Sequence, residues 1–170
     1  MMTLVIGGAA SGKSEFAEGF VLNAGSRPRY YIATMQPFDD ECRARIRRHR
    51  EMRAKKQFET VECFVNLERV MLPSKGVVLL ECMSNLVANE LYSSDGSGDN
   101  AVESIQRGMQ HLKSQCEELI IVSNEVFSGG SDYEGDTLRY LRILAQVNRM
   151  LAKEADTVYE VVCGVPVCHK

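Results

Sequence analysis

Gly7-Gly8-Ala9-Ala10-Ser11-Gly12-Lys13-Ser14 decides how the rest of this 170-residue chain is read. These residues fit G-x-x-x-x-G-K-[ST], a phosphate-binding loop. The flanks agree with it. Thr3-Leu4-Val5-Ile6 is a short, β-branched apolar run that reads as a buried strand. Glu15-Phe16-Ala17-Glu18-Gly19-Phe20-Val21-Leu22 follows, with Phe16, Phe20 and Val21 at helical spacing. Glycines let successive backbone N–H groups turn inward around an anion, and the start of a helix adds the positive end of its dipole. In such a loop Lys13 reaches the β- and γ-phosphates, and the Ser14 hydroxyl ligates Mg²⁺. A glycine-rich turn that happens to contain Lys-Ser is the simpler reading. The strand, loop and helix in sequence weigh against it.

Around that loop the composition is ordinary. One domain over residues 1–170 is the natural expectation, large enough to bury a real core. Hydrophobic residues make up 45% and charged residues 25%, as in soluble globular chains. The net charge of −3 argues against nucleic-acid binding by bulk charge. No apolar run is long enough to span a bilayer. A strand that begins by residue 3 leaves no room for a signal peptide, so the expected location is the cytoplasm. The six cysteines (Cys42, Cys63, Cys82, Cys116, Cys163 and Cys168) form no C-x-x-C pair and no zinc spacing with histidine. In a reducing compartment they read as core residues or free thiols.

Further strands are expected at Arg29–Thr34, Phe58–Cys63, Gly76–Cys82, Glu118–Glu125, Thr157–Val162 and Val165–Val167. Helices are expected from Asp39 or Asp40 to Lys56, Val65–Leu72, Met83–Leu91, Ala101–Cys116 and Gly135–Glu154. The alternation predicts a three-layer α/β domain of P-loop NTPase type with a mostly parallel sheet. The last strand follows too closely for a crossover and should pair antiparallel at the C-terminal edge. The candidate site groups fall just after strands: residues 7–14, 33–36, 81 and 124–130. Open α/β sheets bind ligands at that edge.

Two of these places carry more chemistry than their neighbours. Val77-Val78-Leu79-Leu80-Glu81 is an apolar strand ending in an acid, the pattern of a carboxylate poised near Mg²⁺. A carboxylate capping the next helix is the plainer alternative. The helix from Cys42 to Lys56 holds eight of the 20 Lys and Arg residues. Arg45, His49 and Arg53 recur every four residues and share one face. Three readings compete for it: a solvated basic helix, a nucleic-acid patch, and a site for nucleotide phosphates with His49 as acid, base or nucleophile. The second lacks interleaved aromatic residues.

Several segments together resemble a family. Gly7–Ser14, Tyr31-Ile32-Ala33-Thr34, Arg45-Ile46-Arg47-Arg48-His49-Arg50, Leu79-Leu80-Glu81-Cys82, Ser123-Asn124-Glu125-Val126 and Val147-Asn148-Arg149 occur in matching order. The chain resembles the bifunctional adenosylcobinamide kinase/adenosylcobinamide-phosphate guanylyltransferases of cobalamin (vitamin B12) biosynthesis, from Thr3 to about Val167. The resemblance implies a RecA-like fold and a homotrimer. It implies a kinase step that phosphorylates adenosylcobinamide with ATP or GTP. It implies a second step that moves GMP from GTP onto adenosylcobinamide-phosphate, through a GMP–histidine intermediate matched here by His49, releasing pyrophosphate and giving adenosylcobinamide-GDP. It further implies that Gly7, Gly8, Ala9, Ala10, Ser11, Gly12, Lys13, Ser14, Ala33, Thr34, Met35, Arg50, Glu51, Met52, Arg53, Glu62 and Glu81 contact the nucleotide, with Lys13 serving both steps and Ser14 and Glu81 attending Mg²⁺.

Two segments depart from the family pattern. Ala10 stands where the loop usually has arginine, which removes one positive group near the phosphates. Phe127-Ser128-Gly129-Gly130-Ser131-Asp132-Tyr133-Glu134 replaces a usual G-x-G-I-V-P, which bears on the corrinoid and the kinase step. A P-loop kinase of another small alcohol, without guanylyltransferase activity, is the alternative enzyme. A nucleotide-dependent RNA-binding module is the alternative outside enzymes.

Overall fold

Short apolar runs between glycine-bearing turns become strands, and the stretches with one apolar face become the helices over them. The computed structural model describes residues 1–37, 40–127 and 134–170, and within the helix 40–55 the side chains of 40, 43, 44, 46, 47, 50, 51, 54 and 55. The strands are β1 (Met2–Gly7), β2 (Arg29–Ala33), β3 (Glu59–Glu62), β4 (Val77–Glu81), β5 (Glu118–Asn124), β6 (Thr157–Val162) and β7 (Val165–Cys168). The helices are α1 (Lys13–Leu22), α2 (Asp40–Lys55), α3 (Met83–Tyr92), α4 (Ala101–Gln115) and α5 (Gly135–Glu154). The sheet order is β3-β2-β4-β5-β1-β6-β7, parallel except for the antiparallel pair β6–β7.

Alternate residues of each inner strand enter different clusters. Leu4, Ile32, Leu80 and Ile121 face α3, α4 and α5 in the larger core. Val5, Tyr31, Leu79, Ile120 and Val122 face Ala17 and Val21 of α1 in the smaller one. Coverage on both faces is why Val77 to Leu80 is a continuous apolar run and not an alternating one. The hairpin β6–β7 turns at Cys163 and Gly164, both at positive φ (49° and 81°), a two-residue turn whose twist suits the strands.

One expected element shrinks. Val65–Leu72 holds only a turn of 3₁₀-helix, Leu67–Arg69, and not a longer helix. Asn66 precedes it in the left-handed region with its N–H spent on the Glu90 carboxylate at 2.6 Å, and Val70 is already extended. The periodicity that reads as helical is Leu67 and Val70 reaching down into the core. Among the described residues no helix is long and apolar enough to cross a membrane.

Candidate functional site

The parallel register brings five strand ends to one rim. Glu62 pairs with Ala33, Ala33 with Glu81, Glu81 with Val122, and Asn124 with Gly7. Across the rim the order is therefore β3, β2, β4, β5, then the phosphate loop after β1. A cavity of about 690 Å³ opens there, lined among others by Ser11, Lys13, Ser14, Met35, Glu81 and Asn124. Ala10, Gly12, Ala33, Glu62 and Ile46 also border it.

Backbone contacts hold the loop in shape. Gly7 accepts from the Glu125 N–H at 3.0 Å, and Gly12 accepts from the Phe16 N–H at 3.0 Å as α1 begins. A Cβ on Gly7 would lie 2.6 Å from Ser11 Oγ and 2.7 Å from the Val161 carbonyl, so no side chain fits. Gly12 takes φ +90°, which an L side chain resists. Gly164 donates its N–H to the Ser11 carbonyl at 2.8 Å, so the hairpin turn clasps the loop from outside. Inside, Lys13 is only 9% exposed, and among the described residues Nζ donates to the neutral Gly8 carbonyl at 2.9 Å. A buried ammonium without a counter-charge is costly, and a bound anion would remove that cost. Ser11 Oγ is buried with no described partner, a second polar atom left for a ligand.

Glu81 is the meeting point. It accepts a short hydrogen bond from the Ser14 hydroxyl through Oε1, and Tyr31 donates to its Oε2 at 2.9 Å. It does not cap α3: the residue before that helix is Cys82, and no side-chain cap hydrogen bond is made there. Two hard oxygen donors from different elements thus converge at the mouth of the loop, a set whose chemistry would suit Mg²⁺. Among the described residues no three His, Cys, Asp or Glu side chains gather to hold a metal alone.

Thr34 sits differently from its neighbours. It is fully buried, and its hydroxyl accepts from the Cys82 N–H at 2.8 Å and donates to the Cys82 carbonyl at 2.9 Å. Its side chain fastens β2 to the end of β4, while Ala33 and Met35 on either side border the cavity. The Thr34 side chain thus holds the frame of the rim on which the nucleotide is expected.

The basic helix α2 approaches the cavity through Ile46. Arg50 and Glu62 form an ion pair, which ties α2 to the end of β3, and Arg43 pairs with Asp40 at 3.4 Å. Glu51 is exposed. The side chains of Arg45, His49, Met52 and Arg53 lie outside the described residues, as do residues 128–133. Residue 49 belongs to α2, three positions after Ile46.

The contacts of four residues escape local sequence reading: Tyr31, Ser84, Asn148 and Gly164. Each acts through a partner far away in sequence, so no spacing rule exposes it. The strand-end position of Asn124 was visible, but its orienting partners were not. Asn124 Nδ2 donates to Ser84 Oγ at 2.6 Å, and Asn148 Nδ2 donates to the Asn124 carbonyl at 3.2 Å.

A glycine loop joining the first strand to the first helix, and an acid two strands away across an intervening strand, define a P-loop nucleotide-binding domain of RecA-like form. FlaH, the flagellar accessory protein of Methanocaldococcus jannaschii, shares that fold, with a TM-score of 0.51 and 10% identity over 99% of this chain and 77% of its own. At the level of sequence, the family described as "Cobinamide kinase / cobinamide phosphate guanyltransferase" matches residues 3–168, and the chain belongs to it. The bifunctional adenosylcobalamin biosynthesis proteins CobU of Salmonella typhimurium and Escherichia coli are each 37% identical to it, over 98% of both chains. CobP of Pseudomonas aeruginosa is 28% identical over 98% of this chain and 96% of its own.

Proposed function

We propose that this chain carries out both reactions of its family on adenosylcobinamide, with His49 as the covalent carrier. In the first, the aminopropanol hydroxyl oxygen attacks the γ-phosphorus of ATP or GTP. The bond from that phosphorus to the β–γ bridging oxygen breaks, and the nucleoside diphosphate leaves. In the second, a neutral His49 imidazole nitrogen attacks the α-phosphorus of GTP, and pyrophosphate departs. A phosphate oxygen of adenosylcobinamide-phosphate then displaces the histidine to give adenosylcobinamide-GDP.

The observation that supports this reading is convergence: the phosphate loop, Glu81 and the α2 face at Ile46 border one cavity. Residue 49 is three positions on from Ile46 in the same helix. Lys13 and the loop amides hold the triphosphate tail in both steps. Arg50 and Arg53, with Arg45, offset charge growing on the departing pyrophosphate. Ser14 and Glu81 would hold Mg²⁺, which supplies neutralisation of phosphate charge. Gly7 to Ser14, Ala33 to Met35, Arg50 to Arg53 and Glu62 frame the nucleotide. A homotrimer in the cytoplasm belongs to the same proposal, and sedimentation equilibrium tests the trimer.

The decisive experiment is incubation with α-³²P-labelled GTP. Acid-labile, base-stable label on the protein, mapped to His49 and lost in His49→Ala, is the expected result. Absence of any covalent label from the wild-type protein would leave a P-loop kinase alone.

A further inference from the structure

Ser123-Asn124 and Val147-Asn148-Arg149 take no part in the two reactions as written, yet Asn148 hydrogen-bonds both Ser123 and Asn124, and Asn124 borders the cavity. Asn124 ends β5, the strand between the phosphate-loop strand and the Glu81 strand. Gly7 is its register partner on one side, and Glu81 on the other side pairs two residues earlier, with Val122. Asn124 therefore stands past Glu81 on the rim, next to the loop.

Two helices hold it, α3 by its side-chain amide and α5 by its backbone carbonyl. Ser84, from α3, takes the Nδ2 hydrogen bond at 2.6 Å and contacts Cys82 Sγ at 3.1 Å. The Ser84 carbonyl is in turn held by Tyr140 at 3.3 Å. Asn148, from α5, donates to the Asn124 carbonyl at 3.2 Å and accepts from Ser123 Oγ at 2.6 Å. A side-chain amide has two N–H donors and one acceptor oxygen. One bond to Ser84 leaves the rest of the group for the cavity that Asn124 lines. Exchanging the amide nitrogen and oxygen leaves this conclusion intact, because the Ser84 hydroxyl can donate or accept.

The rim has a direction. Strands lie about 4.8 Å apart, so β1 to β3 spans about 19 Å, the scale of an extended nucleoside triphosphate. The loop grips the β- and γ-phosphates at one end, while Glu62 and α2 lie at the other. Asn124 is one strand from the loop and three from Glu62.

We propose that Asn124 hydrogen-bonds the γ-phosphoryl group during the kinase step, held in place by Ser84 and Asn148, and takes no part in GMP transfer. The inference rests on the two-reaction reading. In the kinase step the acceptor oxygen–phosphorus bond forms, the bond to the β–γ bridging oxygen breaks, and the hydroxyl proton passes to water. Charge spreads over the equatorial oxygens of the moving group, and a fixed amide N–H there stabilises it. In GMP transfer the reacting phosphorus is the α one, farther along the chain of phosphates.

The test compares Asn124→Ala and Asn148→Ala with wild type in three assays: adenosylcobinamide phosphorylation, GMP–protein formation and fluorescent GTP-analogue binding. Asn124→Ala should lower kinase kcat about 100-fold. Its analogue Kd and its rate of GMP–protein formation should stay within about threefold. Asn148→Ala, which acts through Asn124, should lower kinase kcat about tenfold with KM little changed. Equal loss in both reactions, or a kinase rate that does not move, overturns the proposal. Should Asn124→Ala fail to fold, the near-isosteric Asn124→Asp replaces it; a wild-type kinase rate in that variant is equally fatal. A wild-type protein that phosphorylates but forms no GMP adduct sinks the transferase reading, and Asn124 is then judged on kcat against Kd. A protein that does neither sinks both.

Discussion

The phosphate loop and the basic helix α2 flank the same cavity and are held there in opposite ways. The loop is part of the core. It hangs from the inner strand β1, closes under Glu125 and Gly164, and begins a helix packed on β4 and β5. Among its described residues α2 has none that is buried, and its ties are the Arg50–Glu62 pair and half-buried Ala44 and Ile46. Exposed ion pairs contribute little, about 1 kcal/mol or less each. One half of the site is therefore shaped by folding. Among its described residues, the other half is tied to the sheet mainly by charge.

The largest break in that contrast should come from Lys13→Ala. Both reactions need the triphosphate tail held, so kinase turnover and GMP–protein formation should each fall about 10³-fold. Retention of either would separate the loop from that reaction. Gly164→Pro comes next. It removes the N–H that meets the Ser11 carbonyl and cannot take φ +81°. GTP-analogue affinity should weaken about tenfold while far-ultraviolet circular dichroism is preserved. An unchanged Kd would show that the loop stands without the hairpin. Arg50→Ala is milder, raising KM for GTP about fivefold. The effect should shrink as ionic strength approaches about 0.5 M, where exposed charges are screened. A salt-independent effect would mean that α2 is anchored by packing.

The smallest effect concerns thiols. Burial pushes the Cys63 and Cys116 thiols up to about 11. A raised folded value means that their protonated, buried state favours folding fully below the ordinary thiol value of 9.0 and ceases to do so as pH climbs through about 11. Iodoacetamide at pH 8 should label exposed Cys163 and Cys168 at least about tenfold faster than these two. Mass spectrometry of the labelled peptides reads the order, and equal rates would contradict the burial.

How legible was the molecule? The seven strands come from runs such as Val77 to Leu80, where composition and length suffice, and their alternation with helices implies parallel pairing. The phosphate loop is legible because it is contiguous: Gly7 to Ser14 contain both the anion cradle and the cation. Glu81 is legible as an acid at a strand end, but its pairing with Ser14 depends on β5 inserting between β1 and β4. No local pattern states that order. The partners of Tyr31, Asn148 and Gly164 stay hidden for the same reason, although the first two residues stand in segments that carry the family resemblance. Val65–Leu72 misleads because Leu67 and Val70 satisfy a helical spacing that one 3₁₀ turn also satisfies.

Strand β1 lies between β5 and β6, and the Met2 N–H reaches the Asp156 carboxylate at 2.7 Å. β1 thus precedes both of its partners in the chain, and its ladder closes only once residues 118–124 and 157–162 are present. Until then the nascent chain displays an apolar strand and an unbraced glycine loop. Vectorial synthesis gives this protein no early folded half, and helpers that shield emerging chains should matter more to its yield than they would for a protein of local contacts.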